Sequence, residues 1–373
     1  MLSRIATRFA LFFVVVTVWF QGSALSGPRN PVSQSNDEVM LSAAGNAYNP
    51  VPSPDGSKIA YVHTGWDRFR GSGGFGRSNL LSEVMVMNSE GKVITPKPLA
   101  DAFLVGWISD GQDLVCFRDY LCFLVSLDAV KSKEARMALY HELYKRGSTE
   151  RATYCGFLDA MCWVGPADDF DYIMISGRRL ARNKSAIGDM LVPSPDGRYI
   201  AAFGSYGEAP LWIYDSQKDS WTDLGKITVH PNRDWDYIKP SWTPWFRDSS
   251  RLVFISDGGL VISSPDGKSQ QRIMPLSRPA GLPVASPDGH WIAYVTFDPT
   301  PRDVRPDLLF WGGTTIWVVA AERGAKPRAA TRKAAETTCD LSWVNYVEVV
   351  FDRIGPEAFY SNSHIWKARV LSH

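Results

Sequence analysis

Three loop-forming stretches of this chain bring arginine together with aromatic side chains. His63–Ser82 carries Trp66, Arg68, Phe69, Arg70, Phe75 and Arg77; Phe297–Gly313 carries Arg302, Arg305 and Trp311; Arg353–Ser363 carries Phe359 and Tyr360. A fourth stretch, Thr228–Lys239, adds His230, Arg233 and Trp235. Guanidinium groups give bidentate hydrogen bonds and stack on rings, and arginine and large aromatics dominate binding energy at interfaces. The chemistry these residue types support is recognition.

Bond-making chemistry has thinner support. Of the six histidines, His373 is terminal, His364 begins a strand, His290 occupies a turn and His141 lies in a segment of ambiguous structure. Only His63 and His230 fall on the long loops, where Asp67, Asp234, Asp236 and Asp303 could complete a paired-carboxylate or calcium site. Two imidazoles fall short of the three or more N/O ligands a transition metal wants. Aspartates in polar loops ordinarily bond their own backbone. No Gly-x-Ser-x-Gly nucleophile elbow is present. We therefore expect no catalytic residue, no metal and no cofactor.

The loops must hang on a scaffold, and a repeated phrase identifies it. Pro-Ser-Pro-Asp-Gly stands at Pro52–Gly56 and Pro193–Gly197, with one change at Ala285–Gly289. An apolar run follows each copy at the same offset: Ile59-Ala60-Tyr61-Val62, Ile200-Ala201-Ala202-Phe203 and Ile292-Ala293-Tyr294-Val295. Proline presets φ for a turn, Asp bonds its own backbone and Gly supplies positive φ, so each copy reads as a turn entering a buried strand. Weaker copies align on Asp110, Asp159, Asp248 and Asn345, giving gaps of 55, 49, 37, 52, 40 and 57 residues. A mean near 48 holds four short strands with their turns, one blade of a β-propeller. Seven anchors predict an all-β, seven-bladed β-propeller, with six blades as the alternative because the Asp159 copy is degenerate.

Within a blade the order is inner strand, turn, second strand, loop, third strand, turn, outer strand. Met190–Val192, Tyr199–Phe203, Leu211–Tyr214 and Trp221–Leu224 fit one blade; Leu252–Ser256, Gly259–Ser263 and Gln271–Met274 fit the next. All Pro-Asp-Gly turns then project from one face, and the long insertions from the other. The recurrent aspartates are expected to be structural. Trp107, Trp245 and Trp343, just ahead of their anchors, are expected to pack between blades. The last blade shows three strands, at Asp340–Trp343, Val347–Phe351 and His364–Val370, and Glu38–Ala44 is a strand without a hairpin partner. An exposed sheet edge is a liability, so the N-terminal strand is expected to complete the last blade.

Residues 1–26 read as a signal peptide: Arg4 and Arg8 precede the apolar run Phe9–Phe20, and Ala24-Leu25-Ser26 is a small-x-small cleavage site. Twelve apolar residues are too few for the ~20 that span a bilayer, so the mature chain is expected to have no stable transmembrane span. Residues 27–37 form a Pro/Ser/Asn-rich flexible linker, and 38–373 the propeller. Removing residues 1–26 takes away two arginines and no acid, which turns the formal charge from +1 to −1. That balance gives no case for nucleic acid. Of five cysteines, Cys116 with Cys122 and Cys155 with Cys162 could face across hairpins as disulfides or stay buried thiols, and Cys339 is left over. Ser132–Arg146 fits either a helix or an outer strand.

The phrases PSPDGSKIAYV, PSPDGRYIAAFG and ASPDGHWIAYVTF, with Trp212-Ile213-Tyr214-Asp215 and Ile262–Gly267, resemble the TolB-type repeat of bacterial envelope propellers, a WD40-like Pro-Asp repeat, over about residues 38–370. The resemblance implies a periplasmic or secreted binding module whose partner is an envelope protein or a saccharide ligand, and we expect a monomer. Oligogalacturonate-lyase-like enzymes use similar rings with a His-rich metal site. The alternative is thus a propeller-type polysaccharide lyase or glycoside-acting enzyme with its site at the loop face. The repeat also resembles the propeller half of prolyl-oligopeptidase-like enzymes, whose nucleophile elbow is missing.

Overall fold

The computed structural model describes residues 38–42, 47–64, 82–95, 100–101, 103–107, 111–118, 121–127, 152–155, 160–167, 170–175, 178–182, 190–203, 208–228, 243–298, 313–334, 336, 338, 340–353 and 363–371. These residues form β-strands and turns with no α-helix. Ser132–Arg146 lies outside them, as do the signal and linker segments.

After β1 (Glu38–Met40), the strands meander in antiparallel units. The first unit is β2 (Ala47–Pro52), β3 (Lys58–Thr64), β4 (Ser82–Asn88) and β5 (Ala100–Asp101). The second is β6 (Phe103–Trp107), β7 (Asp113–Arg118) and β8 (Leu121–Ser126), and the third β9 (Ala152–Cys155), β10 (Ala160–Ala167), β11 (Phe170–Ile175) and β12 (Arg178–Arg182). The fourth, β13 (Met190–Pro193), β14 (Tyr199–Phe203), β15 (Glu208–Asp215) and β16 (Ser220–Thr228), is joined to the fifth, β17 (Leu252–Ser256), β18 (Gly259–Ser263) and β19 (Gln270–Pro275), by the pair Thr228↔Ile255. The sixth is β20 (Ala280–Ala285), β21 (Trp291–Phe297), β22 (Thr314–Ala320) and β23 (Arg328–Ala329). The last is β24 (Leu341–Trp343), β25 (Glu348–Arg353) and β26 (His364–Arg369). Its fourth strand is β1, which pairs with β26 in the register Glu38↔Ala368 and Met40↔Trp366. The N-terminal strand thus completes the last sheet, over a shorter span than Glu38–Ala44.

Neighbouring units pack face to face: β6 against β2, β3 and β4, β9 against β6, β13 against β9, β20 against β17, and β24 against β20 and β21. The last unit returns to the first, where β2 lies against β24, β25 and β26. The fold is an all-β propeller. Burial follows position in the unit. β21 is buried along its whole length because both faces meet neighbouring sheets, whereas β19, the outermost strand of its unit, is mostly exposed. A continuous apolar run suits the first situation and a mixed run the second.

The repeated turns do two jobs. Within each turn the Asp carboxylate accepts from a serine hydroxyl and from the backbone two residues on: Ser53 Oγ donates to Asp55 at 2.6 Å and Ser57 N at 3.0 Å. Ser194 with Asp196, Ser264 with Asp266 and Ser286 with Asp288 repeat the serine bond. The Ser53 hydroxyl, followed by the Ser57 bonds, holds the Asp55 carboxyl down at about 2. The turns also stitch units together. Gly56 has φ 72° and a Cβ there would lie 2.1 Å from the Val344 carbonyl oxygen, so only glycine permits this approach of the first and last units. The matching position in the fifth unit is Ser249, at φ 61°, whose hydroxyl accepts from Asp196 N at 2.9 Å across the fourth-to-fifth junction.

The tryptophans ahead of the turns stitch the inner strands. Trp107 Nε1 donates to the Val51 carbonyl at 2.8 Å, Trp245 Nε1 to Val192 at 2.8 Å and Trp343 Nε1 to Val284 at 3.1 Å. In each case the acceptor is the preceding unit's inner strand, four residues before its own turn Asp. Inter-unit packing by these rings, expected from their spacing, is what the structure contains.

The hairpin disulfides are not supported by register. Cys116 pairs with Phe123 and Cys122 with Phe117, while Cys155 pairs with Ala160 and Cys162 with Thr153. Neither pair of cysteines occupies opposed positions. Equal distance from a turn in the chain did not translate into opposition across the strands, because pairing depends on the turn's own length.

Candidate functional site

The strand ends flanking three of the long insertions lie on adjacent units. Thr64 and Ser82 end β3 and begin β4 in the first unit, Phe297 and Thr314 bound the insertion of the sixth, and Arg353 and His364 that of the last. Since the Pro-Asp-Gly turns sit at the other ends of β3 and β21, the insertions leave from the opposite end of these strands. The candidate contact residues Trp66, Arg68, Phe69, Arg70, Arg77, His230, Arg233, Trp235, Arg302, Arg305, Trp311 and Tyr360 all lie outside the described residues, as do Asp67, Asp234, Asp236 and Asp303. What the structure describes is the set of strand ends that bound the three insertions.

These strand ends are rich in ion pairs. At the base of the first insertion His63 Nδ1 lies 3.5 Å from Glu83 Oε2, and the two are cross-strand partners on β3 and β4. At the base of the sixth unit's insertion Asp298 receives Arg278 Nη1 at 3.2 Å and Lys333 Nζ on its other oxygen. Gly313, at φ 69°, leaves room for that carboxylate, since a Cβ there would come within 2.5 Å of Asp298 Oδ2.

At the base of the last insertion Arg353 forms a buried pair. Its Nη1 donates to Glu38 Oε2 at 2.7 Å, and the side chains are 4% and 8% exposed. The other Glu38 oxygen accepts from Arg332 N at 2.7 Å, and the Arg353 guanidinium lies 4.9 Å from the Phe351 ring centre and 5.0 Å from that of Trp366. One carboxylate on β1 thereby ties the last unit to the segment leaving the sixth.

Beside Asp298 a cleft of about 670 Å³ opens between the fifth and sixth units. Tyr294 and Trp317, directly opposed on β21 and β22, form one wall together with Thr296 and Thr315, two cross-strand pairs away. Met274 and Leu276 of the fifth unit form the facing wall, and Arg278, Arg332 and Lys333 stand at the rim. Trp317 Nε1 donates to Thr296 Oγ1 at 2.8 Å. The Tyr294 hydroxyl reaches only the Met274 sulfur, at 4.0 Å, and burial raises its pKa well above the ordinary phenol range.

Sequence reasoning did not find Glu38, Arg353, Asp298 or the cleft. Arg353 and Glu38 are 315 residues apart, and Arg278 and Lys333 sit in short links without a motif. Asp298 and Arg353 alone carried a positional signal, as charged residues at strand ends that bound an insertion. Among the described residues no group of three His, Cys, Asp or Glu is arranged to hold a metal ion, and no helix is long and apolar enough to cross a membrane.

No family model matches the chain. The Tol-Pal system protein TolB of Aromatoleum aromaticum is 27% identical over 139 residues, taking in 33% of this chain and 30% of that protein. The chain thus aligns with under a third of that relative's length. Among solved structures, the Swd1 β-propeller domain of Myceliophteria thermophila matches with a TM-score of 0.50 at 12% identity, covering 88% of this chain and 99% of that one. The chain carries a TolB-like β-propeller. A TolB structure from Agrobacterium tumefaciens (TM-score 0.39, 14% identity, 76% and 94% covered) and an oligogalacturonate lyase in complex with manganese (TM-score 0.39, 10%, 92% and 96%) are further neighbours. For this TolB-like propeller, the likeness to the Swd1 domain is one of fold alone.

Proposed function

We propose that this TolB-like propeller is an exported, non-catalytic binding module, a closed ring of seven blades that works in the periplasm or outside the cell as a monomer. Its partner is an envelope protein or a saccharide ligand. The observation that supports the reading is that the strand ends bounding three arginine- and aromatic-bearing insertions lie away from the repeated turns, on the sixth, last and first units, which pack in succession. A rigid scaffold with its repeated turns at one end leaves the opposite end for such loops. The likeness to TolB over part of the chain supports an envelope setting.

The test is capture of a partner from envelope extract by the wild type and by a variant carrying Arg70→Ala, Arg305→Ala and Trp311→Ala. Capture should drop by at least an order of magnitude, with circular dichroism unchanged, because anchors of these types commonly contribute 2 kcal/mol or more each, on the order of a thirtyfold change. Equal capture by both proteins refutes the assignment of these residues. Breakdown of polysaccharide that disappears on adding a chelator would instead favour a lyase or glycoside-acting enzyme.

A further inference from the structure

Among the described residues, the cleft between the fifth and sixth units has the make-up of a small-molecule site, lined by residues other than the candidate contact residues of the loop face. We propose that it binds a small planar organic anion, an aromatic or cyclic carboxylate, with the ring between Trp317 and the Met274 wall and the carboxylate at the rim cations.

Three observations shape its interior. The volume, about 670 Å³, falls within the ~300–1,000 Å³ typical of ligand pockets. The interior offers two adjacent rings, Tyr294 and Trp317, facing the thioether of Met274 and the side chain of Leu276. Small residues at the outer end, Ala329 and Ala330, leave space beside the rings. Such a surface takes a flat apolar group.

The polar groups then define its head. Three cations stand at the rim and the one carboxylate among them, Asp298, is shared by Arg278 and Lys333. The Arg332 guanidinium meets no carboxylate among the described residues, since only its backbone N is taken up, by Glu38. Among the described residues, charge is therefore unbalanced toward positive at the point where a ligand's head would rest. Deeper in, the Tyr294 hydroxyl is 2% exposed as a residue and has a thioether 4.0 Å away in place of an oxygen acceptor. A buried hydroxyl left with so weak a partner is a donor waiting for an acceptor. Thr296 and Thr315 lie two cross-strand pairs away, on the same wall. An anion whose ring carries an additional oxygen would satisfy both ends.

The probes are 2-naphthoate and its neutral amide, 2-naphthamide, titrated calorimetrically into the full-length protein. The naphthoate should bind saturably and about tenfold or more tightly than the amide, the gain expected of a charge-assisted contact. Arg332→Gln combined with Lys333→Gln, both on exposed side chains, should erase that preference. 6-Hydroxy-2-naphthoate should bind more tightly than 2-naphthoate to the wild type, and Tyr294→Phe, which keeps the ring, should remove this difference. Equal binding of naphthoate and amide, a preference untouched by the double substitution, or no saturable binding overturns the proposal. Loss of partner capture by the loop-face variant would leave these titrations unchanged, so the two readings fail separately.

Discussion

Truncating Glu38 to alanine should loosen the propeller more than any surface change of similar size. The carboxylate accepts from Arg353 Nη1 at 2.7 Å and from Arg332 N at 2.7 Å, so one substitution removes both bonds. The Arg353 side chain, 4% exposed, is then left charged and unpaired between Phe351 and Trp366. Breaking a buried pair from one side costs about 3–5 kcal/mol, because the surviving charge stays desolvated. Domains of 150–250 residues shift Tm by about 2–4 °C per kcal/mol, and this larger ring belongs at the low end, so a fall of about 6–10 °C is expected. Thermal unfolding followed by circular dichroism measures it. Glu38→Ala combined with Arg353→Met should recover much of the loss, since the stranded charge is gone and a straight apolar chain fills its place. The loss should also persist in 0.5 M salt, as buried pairs are weakly screened. A single variant within about 1 °C of wild type, or a double variant worse than the single, would refute the account of Glu38 as a buried tie between the last two units.

Two further outcomes follow from the stitching. Trp343→Phe removes the donor to the Val284 carbonyl in a buried junction and should destabilise by about 1–3 kcal/mol, read as a lower denaturation midpoint; no change would mean that the bond is replaced or absent. Asp55 has its folded pKa lowered to about 2 from an ordinary 3.8. Its contribution is therefore complete above the unfolded value and is lost as pH falls through about 4 toward about 2. Asp215, held down chiefly by Arg198, and Asp266, held down by Ser264, act in the same direction. In acid titrations of stability Asp55→Asn should lose less than wild type across that window, and parallel curves would contradict the linkage.

Much of the scaffold was legible because its signals are local. A Ser-Pro-Asp-Gly turn makes its bonds within five residues, and the strand after it carries its burial as a run of Ile, Ala, Tyr and Val. The bounds expected for the fourth and fifth units agree with β13–β19 to within a few residues. Trp107, Trp245 and Trp343 were legible for a different reason: each stands two or three residues ahead of its turn anchor, at the same place in its unit. Pairings that join distant residues left no such trace. Glu38 reads as an ordinary acid at a strand start, and nothing nearby marks Arg353 as its partner. The cysteine alternatives stayed open because counting outward from a turn is blind to how many residues the turn consumes. The cleft was illegible because its walls come from two units and its rim from the links between them.

The seat of β1 in the last sheet also sets the order in which this chain can become a finished molecule. A strand that begins at residue 38 finds its partner only when residues 364–369 exist and are free to pair. Until then the first unit's inner strand faces no neighbour on one side, and Glu38 has no Arg353. Each earlier stage is an open arc with two apolar ends. The final pairing is a loop closure across almost the whole chain, which makes it entropically late and topologically slow. Ring completion is thus a checkpoint on length. A chain that stops short of β26 leaves β1 without its sheet partner.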